Sequence, residues 1–114
     1  MNDLKFSELH EANKTRSSEW NVPNDGAAFR TIELAGEVGE ACDVVKKLLR
    51  DGAPGALSAS EGIRKLADEL ADVVICADRL AEHYHIDLGR AVRDKFNRTS
   101  EKHGFQTMLK AREE

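Results

Sequence analysis

The stretch AAFRTIELAGEVGEACDVVKKLL, residues 27–49, decides the fold. Its apolar positions Ala28, Ile32, Ala35, Val38, Cys42, Val45 and Leu49 step by three and four, which makes one continuous face of a helix. The helix runs into Arg50-Asp51-Gly52-Ala53-Pro54-Gly55, a cluster of breakers. Beyond it, Ser58 with Glu61 three residues on offers a capping box. A third helix then reaches about Tyr84 through Ile63, Leu66, Leu70, Val73, Val74, Ala77, Leu80 and Ala81. Asp87 predicts the N-cap of a fourth helix, with Leu88, Ala91, Val92 and Phe96, which ends near Gly104. Upstream, Leu4, Phe6, Leu9 and Ala12 follow a looser helical spacing that fades around Thr15-Arg16-Ser17-Ser18, and Trp20 to Gly26 reads as a loop. No alternating strand pattern or repeat interrupts this order. The expectation is an all-α bundle of four main helices in one domain, residues 1–114, with 105–114 as a weakly structured tail.

A chain of 114 residues holds one modest core and leaves little room for a deep pocket inside a single copy, so a homodimer or homotetramer is expected. Leu, Ile, Val and Phe total 26 residues, too many for a disordered chain. The longest apolar run, Val73–Ala77, is far too short to span a bilayer, and the N-terminus has no signal-peptide core. The sequence therefore predicts a cytoplasmic protein with no membrane partner. Cys42 and Cys76 show no metal-binding or disulfide spacing and are expected to be buried in the core.

The net charge of -4 argues against nucleic acid as a partner, yet the charge is unevenly spread. Residues 88–112 carry seven Lys or Arg against two acids, and the remainder carries ten basic and nineteen acidic residues. Solvated helix faces would produce this pattern, and so would a polyanion held between a carboxylate-bound cation and basic side chains.

Two pairs of acids favour the cation. Glu37 and Glu40 lie three residues apart on the second helix, and Glu69 and Asp72 repeat the spacing on the third. Both pairs sit beside apolar stripes, so they are expected to be partly buried. Four carboxylates at one helix seam repel one another and lose hydration, which protonation, basic partners or a hard cation must relieve. Mg²⁺, with Mn²⁺ as a substitute, takes oxygen ligands and is commonly completed by substrate phosphates. Gly36 and Gly39 cost helix stability and are expected to admit a ligand or a facing helix, so a bulky residue at 39 should hurt activity more than folding.

At these residues the sequence resembles the MazG-like, all-α nucleoside triphosphate pyrophosphohydrolases. GEVGEACDVVKKL and ELADVV fill the family's two acidic motifs, and KFNRTSEKHG is similar to its Lys/Asn/Arg segment, so the resemblance covers roughly residues 4 to 104. Gly36 stands where the family has the first Glu of its pair, a form similar to the dCTP pyrophosphatase branch. The resemblance implies hydrolysis of a nucleoside triphosphate to the monophosphate and pyrophosphate. Glu37, Glu40, Glu69 and Asp72 would hold the metal, and Glu37 or Glu40 would serve as the catalytic group that orients or deprotonates water. Lys95, Asn97 and Arg98 would bind the phosphates, and His10 and Trp20 would help form a base pocket. Lys95 and Arg98 also suit a solvated helix face, Trp20 a packed anchor, and His10 an ordinary surface or core histidine. Phosphoribosyl-ATP pyrophosphohydrolases share the same acidic logic. From a different class, a non-catalytic helical interaction module would use the acids for a structural cation.

Overall fold

The computed structural model describes residues 3–23, 25–50, 52 and 54–110. It contains four helices, α1 (Phe6–Trp20), α2 (Ala27–Leu48), α3 (Ala59–His83) and α4 (Leu88–His103), with no strand among the described residues. The all-α reading is therefore observed. Asn24, Asp51 and Ala53 of the two expected loops, and tail residues 111–114, lie outside the described residues.

Local chemistry sets most boundaries. Ser58 Oγ accepts the Glu61 N–H at 3.3 Å, and Asp87 Oδ1 accepts the Arg90 N–H at 3.0 Å, so both expected caps form. Gly104 closes α4 in the left-handed conformation at φ 71, which a side chain would resist. The first helix departs from expectation by continuing to Trp20. Ser17 and Ser18 donate their hydroxyls to the carbonyls of Asn13 and Thr15, so the polar run that weakens the pattern is absorbed within the helix.

The α2–α3 hairpin is the main packing unit, α1 packs on α3, and α4 meets the rest chiefly along α1. Two glycines permit close approach. A Cβ on Gly62 would lie 2.0 Å from Leu48 Cδ2, and one on Gly89 would lie 2.8 Å from Phe6 Cβ. Gly36 and Gly39 have nothing within 4 Å of the same position, so neither serves contact within the chain.

The core is the main correction to the sequence reading. Ala41, Val44, Cys76 and Ala81 are its buried apolar residues, and α2 otherwise buries Arg30 and half-buries Glu33, Leu34 and Glu37. The stripe that defined α2 is turned outward: Ile32 is 72% and Leu49 78% exposed, and Cys42 is exposed as well, unlike Cys76. Ile63, Leu70 and Val74 of α3 are similarly uncovered. The periodicity correctly marks a helix with an apolar face. It does not say which of two faces packs against the chain's own α3.

The accessible surface is 8793 Å², whereas a compact monomer of this mass exposes about 6,200 Å². The radius of gyration is 17.2 Å, against about 13 Å for a compact chain of this length. No helix among the described residues is long and apolar enough to cross a membrane.

Candidate metal centre

The antiparallel pairing of α2 and α3 brings their acidic turns together. One carboxylate oxygen from each of Glu37, Glu40 and Glu69 lies within 4.8 Å of the others. Asp72 is outside this triad and exposed, but its charge acts on both Glu37 and Glu69. Glu37 and Glu69 are half-buried, as expected, and Glu40 and Asp72 are exposed.

The electrostatic consequence falls mainly on Glu37. Lost hydration first, then the charges of Glu40 and Asp72 with Glu69 close by, push its carboxyl up to about 7. The Glu69 carboxyl is raised as well, by burial first and then by Glu40. Glu37 Oε2 and Glu69 Oε2 are sealed from solvent with no hydrogen-bond donor among the described residues. Sealed oxygens without donors, among like charges, suit either shared protons or a hard cation with several oxygen ligands. The donor set fits Mg²⁺ or Mn²⁺ in type and charge.

One turn along the hairpin lies a charged network. Arg79 donates to Glu33 and, at 2.8 Å, to Asp25; Arg30 donates to Asp25 at 3.1 Å, to Glu82, and to the Arg79 carbonyl at 2.7 Å. The Arg30 guanidinium, hydrogen-bonded to Glu82, holds that carboxyl below the usual carboxylate range. Glu33 also accepts from the Cys76 thiol at 3.4 Å, and burial together with Glu33 pushes that thiol up to about 12. Cys76 is therefore a neutral donor, with no thiolate chemistry at ordinary pH. The network ties the loop before α2 to the helices that carry the acids. Sequence reasoning missed it, although Asp78-Arg79, set between the apolar run Val73–Ala77 and Leu80-Ala81, was a visible signal.

The remaining expected site residues lie elsewhere in the chain. His10 Nδ1 is 3.1 Å from Asp78 Oδ1, and Asn13 donates to Asp78 Oδ2 at 3.0 Å, on the side of α3 that faces α1. His10, Asp78, His85 and Asp87 are among the residues around a cavity of about 300 Å³. Trp20 closes α1, 55% exposed, with the Arg16 guanidinium 5.5 Å from its ring centre. Lys95 and Arg98 are exposed on α4 and pair with no carboxylate among the described residues. The Asn97 amide is bonded to the backbone of Leu109. Within one copy, then, the structure gathers the α2 and α3 acids and leaves His10, Trp20, Lys95, Asn97 and Arg98 apart from them. Comparison with protein-family models and with curated proteins gives no match to this chain.

Proposed function

We infer that the chain is a divalent-cation-dependent pyrophosphohydrolase of nucleoside triphosphates, of the MazG-like all-α kind that its acidic motifs resemble. The observation that carries this reading is the convergence of Glu37, Glu40 and Glu69 within 4.8 Å, with a solvent-sealed, donorless oxygen on two of them. Such an arrangement is unfavourable alone and becomes favourable around a hard cation.

Glu37, Glu40, Glu69 and Asp72 would hold Mg²⁺, or Mn²⁺ in its place. When bound, the ion would neutralise charge between these carboxylates and the triphosphate and would polarise the α-phosphorus. Water attacks that phosphorus, the bond to the bridging oxygen of the β-phosphate breaks, and pyrophosphate leaves the monophosphate. One of the two α2 carboxylates takes the proton of the attacking water. Lys95 and Arg98 supply positive charge for the leaving pyrophosphate. They lie on α4, away from the acids, so the site is completed when α4 of one copy stands beside the hairpin of another. The cavity beside His10 and the open face of Trp20 are the surfaces left to receive a base.

The test is release of pyrophosphate, as distinct from orthophosphate, from a panel of dNTPs, NTPs and phosphoribosyl-ATP at millimolar Mg²⁺. Pyrophosphate from one dNTP or NTP supports the reading, and preference for phosphoribosyl-ATP moves it to that neighbouring activity. No pyrophosphate from any of them would overturn both and leave a metal-binding helical module.

A further inference from the structure

The chain leaves α4 through Gly104 and runs as a non-helical segment, Phe105–Leu109, past the exposed side of that helix. Asn97 holds it at two points. Its Nδ2 donates to the Leu109 carbonyl at 2.8 Å, and its Oδ1 accepts the Leu109 N–H at 2.7 Å. A side-chain amide bonded to both polar groups of one residue does what a neighbouring strand does for an extended backbone. Phe105 adds a stack on His103, with ring centres 5.4 Å apart and planes at 21°.

This tethering leaves the segment's apolar groups outside. Phe105 is 60%, Met108 36% and Leu109 40% exposed. Three hydrogen bonds, the Phe105 N–H to the Ser100 carbonyl at 2.8 Å among them, and one stack weigh less than the conformational entropy lost on fixing five residues. Apolar burial must supply the difference, and within one copy it is incomplete, with Phe105 the least covered of the three. The surface exceeds that of a compact chain of the same mass by about 2,500 Å², more than the roughly 800 Å² each partner gives to a standard interface. Charge favours a second copy: the strap itself is uncharged, but residues 88–112 around it are basic and the rest of the same chain is acidic.

We propose that Phe105–Leu109 is a strap that docks on a second copy of this chain, and that Asn97 is the residue that holds it extended for docking. The proposal rests on the homo-oligomer included in the functional reading above and names part of its interface. Both polar atoms of the Asn97 amide are committed to Leu109, so Asn97 serves assembly and not phosphate binding.

Light scattering and sedimentation across a concentration series, without substrate or metal, test this on the full chain. The wild type associates; Asn97→Ala, Leu109→Pro and the double variant Phe105→Ser/Met108→Ser each raise the dissociation constant about tenfold or more, with helical circular dichroism unchanged. Leu109→Pro deletes the N–H that Asn97 accepts and lies outside every helix, so it decides the matter even where Asn97→Ala impairs folding. A wild type that associates alongside variants that associate equally well overturns the strap and leaves the oligomer standing. A wild type that stays monomeric overturns both. Asn97→Ala with unchanged association and a raised KM for a triphosphate returns Asn97 to the phosphate site and also overturns the strap. The association measurements need no activity, so a failed pyrophosphate assay and a failed strap are told apart.

Discussion

Glu37 is the residue on which the acidic cluster presses hardest, and its proton is the most direct handle on the site. Its carboxyl, pushed up to about 7, lies above the roughly 4.3 of a glutamate in an unfolded chain. Between those values the folded chain holds a proton that the unfolded chain has released, so this group's share of stability is intact below the lower value and lost as pH rises through the higher. In the presence of EDTA, the melting temperature should therefore fall from about pH 5 to about pH 7.5, and Mg²⁺ should restore it most at the upper end. Glu37→Gln should flatten that profile, because an amide has no proton to lose; a wild-type profile already flat would remove carboxylate repulsion from the account. Glu69→Gln and Asp72→Asn should abolish pyrophosphate release while leaving helical circular dichroism near wild type, since each removes a charge without emptying volume. If either retains most activity at saturating Mg²⁺, the metal assignment fails. The two acidic pairs were legible in the sequence because i, i+3 spacing needs only helix geometry, whereas Glu69 rather than Asp72 joining Glu37 and Glu40 depends on how α3 packs on α2. The pairing of His10 with Asp78 was not legible, because it joins positions 68 residues apart and depends on where α1 crosses α3.

Element by element, local signals carried further than facial ones. Ser58, Asp87 and Gly104 specify their helix ends through bonds or backbone angles within a few residues, and all three ends form where the chain places them. Which face of α2 turns inward is a tertiary matter, decided by Arg30, Glu33 and Glu37 meeting Arg79 and the acids of α3, so a charged seam displaces the apolar stripe. That seam should be costly to break from one side. Arg79→Met would leave Asp25 and Glu33 without this guanidinium and should lower unfolding free energy in urea by about 3–5 kcal/mol. A loss below about 1 kcal/mol would show that water already screens the network, as it does for surface ion pairs. The glycines give a second contrast. Gly62→Ala drives a methyl into Leu48 and should destabilise by about 1–3 kcal/mol. Gly39→Ala meets nothing and should gain up to about 1 kcal/mol from helix propensity, so urea melts of the two should move in opposite directions.

For the molecule as a whole, the length and the surface bear on the proposed oligomer by different routes. A short chain predicts a small core; the structure shows that its buried apolar residues are Ala41, Val44, Cys76 and Ala81, while Ile32, Val45, Leu49, Ile63 and Leu70 face outward. Burying outward Leu or Ile side chains gains roughly 1.5–3 kcal/mol apiece, so covering them by association is the largest stabilisation left to this sequence. Stability should then depend on mass action. The melting temperature of the metal-free protein should rise with concentration from about 1 μM to about 100 μM, because association favours the folded chain. Ile32→Glu/Leu49→Glu should lower the melting temperature at high concentration and remove most of the concentration dependence. Both side chains are already more than two-thirds exposed in the single chain, so the substitution costs the isolated fold little. A wild-type melting temperature independent of concentration, with the pair of glutamates tolerated at every dilution, would mean that the outward stripe of α2 is never covered. The helices would then have to be stable on the α2–α3 seam and the contacts of α1 with α3 and α4 within one copy.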